Sequence, residues 1–125
     1  MIEDKEVVMM QSAYRKLYEV ENTLRNYIAK HMTDYYGPLW FNKAPKLLQR
    51  KPPKALLENL YIYELERSFL RIYPPFKDLP QIFYLHLHIV YPIRNRIAHC
   101  YCLTPEEHVS LSNSHCLLLS YITNP

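Results

Sequence analysis

A chain of 125 residues with a single glycine, Gly37, and ten prolines has almost no supply of the positive-φ positions that tight β-hairpins require. Strand-rich folds are therefore disfavoured at the outset. Helices punctuated by proline are the alternative, because proline stops a helix without needing glycine to turn the chain. Hydrophobic residues make up 49% of the chain and charged residues 22%, enough apolar surface to form a core. The length suits one domain covering residues 1–125. The expectation is a single all-α domain.

From about Glu3 to Met32 there is no proline or glycine. Leu17, Glu21, Leu24 and Ile28 recur at three-to-four-residue spacing, with Tyr14, Tyr18 and Val20 close to the same face. This predicts a long amphipathic helix whose other side carries Arg15, Lys16, Glu19, Asn22, Arg25 and Lys30. Asp34 to Pro38 ends it, since Gly37 can adopt the left-handed conformation. Leu39 to Pro53 reads as a connector with aromatic anchors Trp40 and Phe41. A second helix is expected from about Pro53 to Tyr73, broken near Asn59, with Leu65, Phe69 and Ile72 inward and Pro74-Pro75 as its stop. Asp78 then suits the cap of a third long helix. That helix, dense in apolar residues all round from Gln81, should be the most buried and should reach about Ala98, kinked by Pro92. The last helix is announced by Thr104-Pro105-Glu106-Glu107, a hydroxyl cap followed by proline and a glutamate at the third position. It should run to about Ile122, burying Val109, Leu111, Leu118 and Tyr121, with an irregular middle at Ser110 to Ser114.

The formal charge of +3 permits a nucleic-acid partner without requiring one. A basic run, Lys43, Lys46, Arg50, Lys51 and Lys54, falls on the proline-broken connector. Lys51 and Lys54 are candidate phosphate contacts there, although lysines are also the default residue of any solvated loop. Cys100, Cys102 and Cys116 are an odd number, and no charged leader with an apolar run opens the chain, so a cytoplasmic protein with reduced thiols is expected. No apolar run approaches membrane-spanning length.

The segment Arg94-Asn95-Arg96-Ile97-Ala98-His99 places an R-N-x-x-x-H pattern at the end of the apolar helix. Cleaving RNA without a metal needs a base for the 2′-hydroxyl proton, a cation for the phosphate charge and an acid for the leaving 5′-oxygen. Histidine titrates near neutral pH and serves as base or acid. Arginine offers a permanent bidentate fork for phosphate oxygens, and asparagine orients either. Asn95 and His99 share a helix face, whereas Arg94 and His99 lie about 140° apart around the axis. Their convergence needs a distorted helix or a second copy of the chain. Arg96 is either a second phosphate contact or a salt-bridging residue. An arginine and a histidine at a helix C-terminus also satisfy the dipole and the last carbonyls, which is the reading for an arbitrary helix.

The six-residue signature resembles that of HEPN (higher eukaryotes and prokaryotes nucleotide-binding) ribonucleases. Tyr18 to Arg25 is similar to the opening helix of the abortive-infection and Swt-like branches, and Tyr36-Gly37-Pro38-Leu39-Trp40 fits their aromatic patch. The resemblance spans roughly Tyr14 to His99. It implies an antiparallel bundle of four to six helices with a kinked motif-bearing helix, dimerising so that two signatures face one cleft. It further implies a toxin or antiphage-defence endoribonuclease that needs no cofactor and cuts single-stranded RNA or transfer RNA. Arg94 and His99 would carry catalysis, with Asn95 in support and an antitoxin or other regulatory protein in control. The same resemblance admits an inactive dimer that binds RNA or protein without cutting. No acidic residue precedes Arg94 closely as in some branches; Glu64 and Glu66 on the preceding helix are the nearest substitutes.

Histidine and cysteine also raise a zinc site: His86, His88, His99, Cys100, Cys102, His108, His115 and Cys116 are possible ligands. No C-x-x-C spacing occurs, and residues two apart on a helix diverge by about 200°, so no metal is expected.

Overall fold

The computed structural model describes residues 1–123, and every regular element among them is helical. Helix α1 (Asp4–Tyr36) runs uninterrupted because nothing in it breaks the pattern, and Asp4 and Glu6 in its first turn complement the positive helix end. It continues a full turn beyond the expected Met32. The chain leaves it only at Gly37, with φ of 93°, where the glycine amide donates to the Thr33 carbonyl at 2.8 Å.

Helix α2 (Trp40–Leu47) occupies what the sequence suggests is a connector. It lasts two turns, contains Pro45, and ends on Gln49 at φ of 54°. The Gln49 amide donates to Lys46 O and the Arg50 amide to Pro45 O, the paired closure of a Schellman motif. The expected second long helix is correspondingly shorter. It resolves into a 3-10 turn at Leu57–Asn59, helix α3 (Ile62–Leu65) and a π-helical turn, Glu66–Leu70. In that wider turn Glu66 and Arg71, five residues apart, meet at 2.9 Å. A 3-10 turn at Pro74–Phe76 follows.

Helix α4 (Gln81–Ala98) and helix α5 (Pro105–Ile122) have the expected ends. Asp78 does not cap α4; the cap position is Pro80, without a side-chain bond. The predicted capping box on α5 is present: Thr104 Oγ1 accepts from the Glu107 amide at 3.1 Å, and the Thr104 amide donates to Glu107 Oε1 at 2.8 Å. The helix is regular through Ser110 to Ser114, and no helix among the described residues is long and apolar enough to cross a membrane.

The contacts divide the chain into two compact units, one comprising Met1–Thr23 and the chain from Leu79 onward, the other Leu24–Asp78. In the first, α4 and α5 lie antiparallel. Phe83 near the start of α4 meets Tyr121 near the end of α5, His86 meets Ser114, and Arg96 meets Glu107 at the opposite end. Phe83, Leu87, Leu111 and Leu118 are fully buried, each contributing about 1.5–3 kcal/mol. Helix α4 is amphipathic rather than buried all round, for Ile82 and Leu85 face solvent, and Pro92 sits on its exposed side without interrupting it. Val109, Tyr121, Tyr14 and Tyr18 are also exposed, contrary to expectation. In the second unit Leu24, Ile28 and Met32 of α1 are buried, as are Trp40, Leu65, Phe69 and Phe76. Its aromatic rings form a chain of contacts: Trp40 to Phe69 at 5.9 Å, Phe69 to Tyr73 at 5.9 Å and Tyr73 to Tyr36 at 6.0 Å.

Candidate functional site

The R-N-x-x-x-H segment closes α4 through a set of backbone hydrogen bonds. His99 is the C-cap, its amide bonded to Asn95 O at 3.1 Å. Cys100 follows at φ of 60°, donating to Ile97 O at 3.0 Å, and the Tyr101 amide donates to Arg96 O at 2.9 Å. This is a second Schellman closure, with cysteine where glycine is usual. It turns the chain sharply and leaves the His99 side chain exposed, its ring centroid 6.2 Å from that of Tyr101.

Arg94 is half-buried and Asn95 exposed, and Arg94 Nη1 donates to Asn95 Oδ1 at 3.4 Å. Those two side chains are brought together. Arg94 and His99 are not on one face, because α4 is helical through Pro92 to Ala98 and five residues of helix separate them by about 140°.

Arg96 is engaged in the loop that joins α4 to α5. Nη2 donates to the Cys102 carbonyl at 2.9 Å, and Cζ stands 5.6 Å from the Tyr101 ring centroid. Nε is 3.0 Å from Glu107 Oε2, an ion pair whose approach is too bent for a hydrogen bond. Glu107 thus uses one carboxylate oxygen to cap α5 and the other to hold Arg96. Sequence reasoning found the cap and missed this second role, although a glutamate eleven residues after an arginine across a short helix-helix loop is the available signal. Leu103, buried in the same loop, donates its amide to Met10 Sδ at 3.4 Å.

The other histidines are dispersed. His86 Nδ1 and Ser114 Oγ are 3.0 Å apart, a bond that satisfies the fully buried serine. His115 Nε2 is 3.2 Å from Glu19 Oε1, and His88 lies near Tyr91 at 5.5 Å. Burial pushes the His108 imidazole below the ordinary histidine value, and nearby Lys16 adds to the shift. No group of three or more His, Cys, Asp or Glu among the described residues converges to hold a metal. The three cysteines are free thiols on the surface. Cys100 and Cys102 line an apolar groove of about 730 Å³ with Ile2, Val7, Met10 and Tyr14, directly beside His99 in the chain.

Lys51 and Lys54 belong to the other unit. They line a pocket of about 280 Å³ together with Arg50, which belongs to the same basic run of the sequence, and with Tyr73 and Arg67, which sequence reasoning did not single out. Glu64 and Glu66, the acidic candidates, both have local partners: Glu64 Oε1 accepts from the Tyr61 amide at 3.1 Å, and Glu66 pairs with Arg71.

In comparisons with models of known families, with curated proteins and with solved structures, nothing matches this chain.

Proposed function

We propose that the protein is a HEPN-type, metal-independent endoribonuclease, working in the cytoplasm as a homodimer. The observation that carries this reading is the exposed imidazole of His99, held at a rigidly closed helix end one turn after the joined pair Arg94 and Asn95. In the reaction His99 takes the proton of a ribose 2′-hydroxyl. The 2′-oxygen attacks the adjacent phosphorus, and the bond from phosphorus to the 5′-oxygen breaks as that oxygen gains a proton from the imidazolium that His99 has become. The products end in a 2′,3′-cyclic phosphate and a 5′-hydroxyl. Arg94 binds the phosphate oxygens as negative charge grows on them, a kind of contact worth about 3–4 kcal/mol in the transition state. Asn95 holds the guanidinium. Lys51 and Lys54 contact the RNA backbone, and Arg96 joins them only if it leaves Glu107.

The dimer is part of the reading because the site is incomplete without it: the divergence of Arg94 and His99 around α4 leaves each needing the other from a second copy. The exposed apolar groove beside His99 supports such pairing. An antitoxin or other regulatory protein would restrain the activity.

The test is cleavage of a labelled single-stranded RNA in EDTA. Wild type should cut, and His99→Ala should lose activity by about 100-fold or more. Mixing His99→Ala with Arg94→Ala should restore activity, since hybrid dimers rebuild one composite site from the two intact residues. Equal cleavage by wild type and His99→Ala, or dependence on added metal, refutes the mechanism. A second reading, an inactive RNA-binding or protein-binding dimer, is favoured by the 3.4 Å contact that occupies Arg94 with Asn95. It predicts no cleavage by any form and RNA binding that survives His99→Ala.

A further inference from the structure

The second unit holds a cluster of positive charge that its own carboxylates do not neutralise. The Schellman closure of α2 delivers Arg50 at the helix end, and the following Lys51-Pro52-Pro53-Lys54 forms one wall of the 280 Å³ pocket. The π-helical turn supplies Arg67 and Ser68 to the opposite wall, and Leu60, Ile72 and the buried Tyr73 complete it. Four cations therefore face one lining carboxylate, Glu64, whose Oε1 already accepts from the Tyr61 amide. Among the described residues none of Arg50, Lys51, Lys54 and Arg67 is in an ion pair. Arg50 acts on the Tyr73 hydroxyl, opposing the upward shift that burial and Tyr36 impose on it, so its charge is felt within the pocket.

Cations lying this close together repel one another until an anion enters. The cavity is smaller than the roughly 300–1,000 Å³ typical of drug-sized ligands. A phosphate with its sugar fits, whereas an attached base must lie outside. An aromatic surface is available at that edge. The Arg67 guanidinium stands 5.9 Å from the Tyr63 ring centroid, and Tyr63 stacks with Tyr61 at 5.8 Å and 20° between planes. Both tyrosines are exposed, at 51% and 43% for Tyr61 and Tyr63. A positively charged groove with an adjoining exposed aromatic stack is the arrangement that binds single-stranded nucleic acid, the cations tracking phosphates and the rings stacking on bases.

We infer that this pocket binds a phosphodiester of single-stranded RNA, with the neighbouring base stacked on the Tyr61–Tyr63 pair. The choice of RNA as the strand rests on the function proposed above; the phosphate pocket and the stacking surface stand on their own geometry. A duplex cannot splay a base onto the rings. An acidic peptide has no use for them.

The experiment measures fluorescence anisotropy of a labelled twelve-nucleotide oligouridine on the full chain carrying His99→Ala, so that no cleavage confuses the reading. Adding Lys51→Glu and Arg67→Glu should weaken binding about tenfold and reduce the slope of log affinity against log salt by about 1.4, or 0.7 for each lost phosphate contact. Adding Tyr63→Leu instead should weaken binding about fivefold or more and leave the salt slope unchanged. All three side chains are exposed, so circular dichroism should show unchanged folding. Unchanged affinity and slope in the charge-reversed protein overturn the inference. So does an RNA duplex of equal length that binds as tightly as the single strand, or displacement of the RNA by pyrophosphate or polyglutamate at equal charge concentration. Cleavage that depends on His99 while charge reversal leaves binding unaltered would sink the pocket and spare the nuclease. Oligouridine binding that responds to both variants, in a wild-type protein that cuts nothing, would do the reverse.

Discussion

Replacing Cys100 by glycine tests the closure that presents His99. Cys100 sits at φ of 60°, a conformation that costs an L-residue roughly 1–2 kcal/mol and glycine almost nothing. Its thiol is exposed, so little burial is lost with it. Against the gain stands glycine's greater freedom in the unfolded chain, about 0.4–1 kcal/mol. The net stabilisation is about 0.5–1 kcal/mol. A chain of 125 residues unfolds with an entropy of about 260 cal/mol/K near 60 °C, so Tm should rise by about 2–4 °C. Thermal and urea unfolding followed by far-ultraviolet circular dichroism measure the shift. Cys100→Ser, which keeps the strained backbone, should leave Tm unchanged, and Cys100→Val should lower it because a β-branched side chain fits the left-handed region worse. If glycine gives no increase, or if serine matches it, the backbone at Cys100 is not what limits this helix end.

Two further perturbations bear on the same unit. Thr104→Ala removes the hydroxyl that accepts the Glu107 amide and should cost about 1 kcal/mol, lowering Tm by about 4 °C; an unchanged melt would mean the cap contributes nothing. His108 has a folded pKa below its unfolded value, through burial first and Lys16 second. It is neutral in both states well above about pH 6.5, and as the pH falls through that value the unfolded chain takes up the proton that the folded chain resists. Stability should therefore fall as the pH drops through about 6.5, and His108→Gln should flatten that fall in urea titrations; superimposable pH profiles for the two proteins would refute it.

The features that sequence reasoning placed well are those encoded by local chemistry. Thr104-Pro105-Glu106-Glu107 specifies cap, first turn and direction within four residues, and α5 begins where it says. The features it missed depend on long-range contacts or on an unusual residue in a familiar place. Three helices end on a left-handed residue, yet the chain has one glycine, so Gln49 and Cys100 take the other two positions without announcing themselves. Helix α2 is hidden for the same reason, with Leu39 at its start making no side-chain cap and Pro45 inside it. Exposed Ile82, Leu85, Val109 and Tyr121 show that apolar character predicts burial in one direction only. The motif at the end of α4 was visible because its residues are contiguous. Arg67 was not tied to Lys51 and Lys54 because a loop and a π-helical turn bring them to one pocket across sixteen and thirteen positions of chain.

The two clusters of candidate site residues share a physical setting. Each lies at the C-terminus of a helix closed by a left-handed residue: His99 on α4, and Arg50 with the following lysines on α2. A helix C-terminus carries partial negative charge, which favours neighbouring cations by about 0.3–1 kcal/mol each and so offsets part of their mutual repulsion. The Schellman bonds meanwhile satisfy the terminal carbonyls of both helices, so fewer bare acceptors remain to repel an approaching phosphate. A carboxylate placed beside these cations would stabilise them equally well but would occupy the position a ligand needs. Arg96 illustrates that alternative within the same motif: braced by Glu107 and the Cys102 carbonyl, it shapes the loop and is withdrawn from binding. The carboxylate within reach across the loop is therefore what fixes Arg96, and under the proposed function Glu107→Gln should release that arginine toward RNA.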